Sequence, residues 1–261
     1  MVIQAETVRR VAGVQEQLDN FVRPELPDDL ISPFLALPGL RGFWPMSAFQ
    51  SNGDCFDQSG NGRLLTYNGN PTYNYDDLVP YIDLDGTGDY LLRGDEAGLD
   101  ITGLETYVAA AVRGLTAGGW FWIDSHAAES TLISKYDVGG NQRTFSLHIA
   151  PAGNLRGYLS NNGVAFETIA AGVITTGEWF FAVFRFDPGN EKSLFLNNVE
   201  TVQATAYASL HLGTADLLIG GIHGGTRLLD GRASLCFLCA TLLSDGILSS
   251  LFQQTRPVFG V

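Results

Sequence analysis

The clearest pattern along the chain is a two-residue alternation of apolar and polar positions, interrupted by glycine and asparagine turns. In residues 81–92, Ile82 and Leu84 alternate with Asp83 and Asp85, as expected of a strand with one buried face. Gly86 and Gly88 supply a tight turn, and Tyr90, Leu91 and Leu92 begin a second strand. Short β-like runs recur from Gly39 onward, at 42–45, 63–67, 80–84, 89–92, 120–124, 131–136 and 144–149. They continue at 155–160, 165–170, 179–186, 193–196, 217–220 and 233–240. Many short strands at this spacing, with 31 glycines, predict an all-β fold, an antiparallel jelly-roll β-sandwich. A short C-terminal helix is predicted after Ser244, with Asp245 in its first turn and Ile247, Leu248, Leu251 and Phe252 at helical spacing.

The first residues follow a different period. Over 3–22, Val8, Val11, Leu18 and Val22 fall near one helical face while Glu6, Arg9, Glu16 and Asp19 fall elsewhere; Gly13 weakens the middle by about 1 kcal/mol. A helix of this length is marginal alone, so the stripe predicts docking against its own domain, a copy of itself or another protein. Pro24, Pro27, Pro33 and Pro38 then predict an extended segment. The chain thus divides into a docking arm, 1–38, and a sandwich domain, 39–261. Two readings of the arm remain open, a detachable anchor or a segment packed along the domain.

Composition narrows the partners. The 28 acidic residues outnumber the 15 Lys and Arg, giving a formal net charge of -13, which argues against nucleic acid and an anionic membrane surface. No apolar run approaches the roughly 20 residues of a membrane span. The N-terminus lacks the apolar core and cleavage site of a secretory leader, so the expected place of synthesis and assembly is the cytoplasm. Three sparse cysteines agree with this. Cys236 and Cys239 form a Cys-x-x-Cys within a β-like run, where residues three apart face opposite ways, so buried free thiols are expected rather than a redox or zinc pair.

Candidate chemistry is thin. His126, His148, His211 and His223 are scattered, and the glycine run around His223 opens no helix that would cradle phosphate. Trp44, Trp120, Trp122 and Trp179 read more readily as core than as sugar platforms. In Trp120-Phe121-Trp122, however, one parity must face away from the main core unless another element covers it. Asp57-Gln58-Ser59-Gly60-Asn61-Gly62 reads as a side-chain-bonded turn.

The order of short motifs resembles the concanavalin A-like lectin/glucanase superfamily, in particular its laminin-G-like jelly rolls. The motifs are Gly42-Phe43-Trp44-Pro45, the Asp57 turn, Leu84-Asp85-Gly86-Thr87-Gly88-Asp89-Tyr90, Trp120-Phe121-Trp122 and Leu132-Ile133-Ser134-Lys135-Tyr136. Gly177-Glu178-Trp179, Asp230-Gly231-Arg232 and Leu243-Ser244-Asp245-Gly246-Ile247 follow, so the resemblance covers about residues 40–255. Asn197-Asn198 stands where the family has Asp-Gly, still suited to a turn with positive φ. Residues 95–119 exceed a minimal member and predict a surface insertion.

The resemblance implies binding more than hydrolysis. The superfamily's glucanases carry Glu-x-Asp-x-x-Glu or Glu-x-Asp-x-Glu on one strand; this chain has neither, and Glu178, Glu191 and Glu200 stand apart. Family jelly rolls also bind calcium, which makes Asp57, Asp83, Asp85 and Asp89, with loop carbonyls, a candidate Ca2+ set; the alternative is an exposed acidic rim. Lectin-like jelly rolls joined to a docking segment resemble bacteriophage virion proteins. The expectation is a non-catalytic capsid or tail decoration protein on the virion surface, attached through Val8, Val11, Leu18 and Val22 to other virion proteins or copies of itself, with surface glycans as further partners. A free carbohydrate-binding lectin module is the alternative, and a glycan hydrolase the third reading.

Overall fold

Strand Trp179–Asp187 is apolar at nearly every position because both of its faces are covered, and it explains the layering of the molecule. Phe180, Ala182 and Phe184 enter the core between two sheets, whereas Trp179, Phe181 and Val183 enter a second core on the sheet's outer side. The computed structural model describes residues 28–47, 53–76, 79–105 and 112–261. These form β1 (Leu40–Trp44), β2 (Thr66–Asn68), β3 (Thr72–Asp76), β4 (Val79–Asp85), β5 (Tyr90–Arg93), β6 (Leu115–Ile123), β7 (Ser130–Asp137) and β8 (Gln142–Ile149). They continue with β9 (Asn154–Gly163), β10 (Glu167–Val173), β11 (Trp179–Asp187), β12 (Glu191–Leu196), β13 (Val199–Ala204), β14 (Leu217–Ile219) and β15 (Asp230–Cys239). Helices α1 (Asp28–Leu35) and α2 (Asp245–Phe259) lie near the two ends of the described chain.

Sheet one runs β13-β12-β11-β6-β15-β4-β3, with β1 also paired to β15; sheet two runs β10-β9-β8-β7-β14-β5-β2, and the strand pairs are antiparallel. The antiparallel jelly-roll sandwich expected from the sequence is therefore the observed architecture. The stretch 81–92 is also strand, glycine turn and strand, but β4 lies in sheet one and β5 in sheet two. Its turn, with Gly86 at φ 71° and Gly88 at φ 98°, is an arch between the sheets rather than a hairpin.

The helix after Ser244 forms as the pattern predicts. The Ser244 hydroxyl accepts from the Ile247 N–H, and Gly260 closes the helix at φ 70°. Leu248, Leu251, Phe252 and Phe259 pack on the outer face of sheet one, where Trp120 stacks on Phe259 at 4.2 Å and on Phe252 at 5.8 Å. Trp120 Nε1 donates to Thr255 Oγ1 at 2.9 Å, which satisfies the one polar atom of a fully buried indole. This resolves the parity of the aromatic triplet: Phe121 faces the inter-sheet core, while Trp120 and Trp122 face the helix side.

Three sequence expectations are corrected. The proline-rich segment is helical over α1 despite Pro33 within it; Leu30, Phe34 and Leu37 are buried, Phe34 stacks on Phe43 at 4.8 Å, and burial of about 1.5–3 kcal/mol per side chain offsets a proline cost of roughly 3 kcal/mol. The 1–38 division therefore falls just behind a helix that packs on the sandwich, while Val8, Val11, Leu18 and Val22 lie outside the described residues. Residues 115–119 are no surface insertion but the first half of β6, between β11 and β15. A Cβ at Gly118 would stand 2.3 Å from Ala182 O, so glycine permits close strand approach there. Finally, β3 and β13 are edge strands with mixed polar faces, which the apolar alternation did not reveal.

Cys55, Cys236 and Cys239 are free and buried, and burial pushes the Cys55 thiol up to about 12. Cys236 faces the inter-sheet core and Cys239 the helix-covered core, as the spacing predicts.

Candidate functional site: an aromatic cleft beside the C-terminal helix

Cross-strand register assembles a row of side chains on the outer face of sheet one that no linear motif contains. Trp179 on β11 pairs with Trp122 on β6, Trp122 with Arg232 on β15, and Arg232 with Asp83 on β4. The two indoles meet edge to face at 6.0 Å. The Arg232 guanidinium lies 4.8 Å from the Trp122 centroid and 4.7 Å from that of Tyr81, with Nε 3.8 Å from Asp83 Oδ2. This cation is held between two rings and beside a carboxylate.

Helix α2 ends just short of this row. Phe259 meets the Trp179 ring at 5.0 Å, and Gly260 ends the helix in a left-handed conformation. Trp122 is consequently half-buried, whereas Trp120, two residues earlier, is fully buried. The uncovered space is a cleft of about 380 Å³ lined by Trp122, Gly177, Glu178, Trp179, Asn197 and Phe259, with residues 260 and 261 at its rim. A smaller pocket of about 70 Å³ shares Glu178, Trp179 and Asn197 and extends toward Val173 and Leu196.

Polar groups around the cleft are fixed by hydrogen bonds to side chains and backbone. Trp122 Nε1 donates to Asp124 Oδ1 at 2.9 Å, setting the indole's orientation. Gly177 N–H donates to Ile123 O at 3.0 Å and anchors the turn that presents the exposed Glu178. Asn197 and Asn198 occupy left-handed conformations at φ 46° and 68°, as expected for this turn. Asn197 Oδ1 accepts from Phe181 N at 2.8 Å, so the donor half of the amide is what it can offer a ligand. An aromatic wall with one carboxylate and one amide is suited to apolar faces ringed by hydroxyl groups.

The four candidate calcium ligands are engaged as follows. Asp57 Oδ1 accepts from Phe43 N at 3.0 Å and Ser59 N at 2.9 Å, while Oδ2 accepts from Ser59 Oγ at 2.8 Å and Arg63 N at 2.9 Å. Asp85 Oδ1 accepts from Thr87 N at 2.7 Å, and the buried Asp89 accepts from Asn70 N at 2.6 Å and Asp85 N at 3.4 Å. Asp83 shares the outer face of β4 with Asp85 but faces Arg232. Asp57 is thus the acceptor that closes its own turn, as the sequence indicated. Among the described residues no three His, Cys, Asp or Glu side chains are grouped so as to hold a metal. A different acid, Asp230, opposes Asp85 across the sheet, and burial together with Asp124 and Asp85 raises its pKa.

The histidines hide one arrangement that spacing could not reveal. On the outer face of sheet two, fully buried His148 has Nε2 2.9 Å from Glu129 Oε1, its ring 4.0 Å from Tyr158, and Glu129 Oε2 3.1 Å from Arg227 Nε. Burial lowers the His148 pKa below the ordinary imidazole value despite the neighbouring carboxylate. The contact with His148 is the largest influence holding Glu129 below its ordinary value. Arg227 supplies the permanent cation, so ionised Glu129 and neutral His148 are mutually consistent.

Among solved structures, the receptor binding domain of botulinum neurotoxin C/D mosaic serotype superposes with a TM-score of 0.63 at 14% identity, covering 83% of this chain and 51% of that one. The binding domain of Paraclostridial Mosquitocidal Protein 1 gives 0.64 at 11% identity, covering 82% and 52%. The binding domain of botulinum neurotoxin DC in complex with SialylT gives 0.61 at 14% identity, covering 82% and 51%. The chain spans about half the length of these structures, and at such identities the likeness is one of fold. Comparison with curated proteins gave no match. The laminin-G-like family model of the concanavalin A-like lectin/glucanases superfamily matches residues 93–234, more than half of the sequence, and the chain belongs to that family.

Proposed function

We propose that this protein is a non-catalytic, lectin-like module that binds glycans in the cleft at Trp122 and Trp179. The observation carrying this reading is the half-buried Trp122, oriented by Asp124 and left uncovered where α2 stops, beside Glu178 and Asn197. A fold shared with receptor-binding domains supports it. The lining contributes a single acidic side chain, Glu178, whereas glycoside hydrolysis ordinarily takes two carboxylates about 5–9.5 Å apart. The test is a glycan array read with wild type and Trp122→Ala. Selective ligands for wild type, weakened roughly tenfold or more in the variant, support the reading; the same ligands bound equally by both exclude this cleft.

Display of the module on a bacteriophage capsid or tail through the N-terminal arm extends this proposal. Its support is the motif resemblance and the apolar stripe of residues 8–22. Because α1 packs on the sandwich, the informative deletion removes residues 1–27 and keeps α1. The shortened protein is expected to fold and to lose incorporation into particles; retained incorporation defeats the docking role.

A further inference from the structure

We infer that the cleft selects uncharged or amino-bearing sugars and rejects acidic ones, with Glu178 as the specificity-determining residue; this rests on the cleft being the glycan site. The charged side chain lining the cleft is the Glu178 carboxylate, exposed on the turn held by Gly177. A second carboxylate, Asp124, accepts from the Trp122 indole N–H at the edge of that ring. The cation in the adjoining row, Arg232, is committed to the Trp122 and Tyr81 rings and to Asp83. A sialic or uronic carboxylate entering here meets like charge and, among the described lining residues, no basic side chain, and the net charge of -13 adds to the repulsion. An ammonium group on a sugar meets the opposite situation, with Glu178 as acceptor.

The test compares three oligosaccharides of equal length, a glucosamine oligomer, an N-acetylglucosamine oligomer and a glucuronate-containing oligomer, by calorimetry at low salt with the full chain. The glucosamine oligomer is expected to bind at least as well as the acetylated one, and the acidic oligomer at least tenfold more weakly than either. In Glu178→Gln, an exposed and isosteric change, the acidic oligomer should regain most of that loss, and the amine's advantage should shrink. Addition of salt should narrow the wild-type differences. Equal binding of acidic and neutral oligomers by wild type, or ratios unchanged in Glu178→Gln, overturns the inference while leaving the cleft as the glycan site. If none of the three binds and a broad array also gives no ligand dependent on Trp122, the cleft reading falls, and the specificity inference with it.

Discussion

Trp120 lies flat against Phe259, centroids 4.2 Å apart and rings 5° from parallel, and this contact seats the C-terminal helix on the sandwich. Phe259→Ala removes a buried ring from an interface that also holds Trp179. The expected loss is about 3–5 kcal/mol, read by urea denaturation. Because Phe259 also borders the cleft, ligand affinity should fall in the same variant.

Trp120 and Trp122 share one strand face but do different work. Trp120→Ala is expected to destabilise strongly, by about 3–5 kcal/mol, because it empties a closed core and orphans Thr255 as a partner. Trp122→Ala is expected to cost clearly less stability and more binding. Paired melting curves and glycan titrations check the division; equal stability losses would contradict it.

Acid should weaken the fold through His148. Its folded pKa lies below the ordinary 6.5, so the unfolded chain takes up a proton that the folded chain resists. The stability present above pH 6.5 should decline as pH falls from there toward the depressed folded value. Glu129, held below its ordinary 4.5, adds a second decline further down, as pH falls through its own folded value. His148→Gln should flatten the first decline and, because His148 is the largest influence on Glu129, also reduce the second in denaturation curves collected across the acid range.

The candidate calcium ligands can be tested directly. Calcium titrated into chelator-treated protein should leave the melting temperature unchanged, because backbone N–H groups already use oxygens of Asp57, Asp85 and Asp89. Heat of binding with a raised melting temperature would assign a cation there. Asp57→Ala should destabilise in either condition, by about 1–3 kcal/mol for the orphaned donors.

Local pattern carried the sandwich because most strands bury at least one face, and α2 was legible from Ser244, Leu248, Leu251 and Phe252. The outer core also left a trace, since the 120–122 triplet demanded a cover, although nothing local identified α2 as that cover. The cleft was harder to read. Trp122, Trp179 and Arg232 are neighbours only through the register of β6, β11 and β15, and sequence spacing does not encode register across more than fifty residues. The same holds for His148, Glu129 and Arg227. Prolines misled at α1 because tertiary burial outweighed propensity, and the insertion was drawn too far, to Gly119, because its last residues are glycine-containing strand in close approach to its neighbours.

Strand β15 carries its own pair of reporters. Cys236 and Cys239 are three residues apart yet sealed in different compartments, one between the sheets and one beneath the helices. Their labelling rates therefore time two separate openings within a single backbone segment. If α2 can lift while the sandwich stays closed, Cys239 becomes reactive first. The Cys-x-x-Cys is then a two-channel clock for how the layers come apart, independent of any redox chemistry.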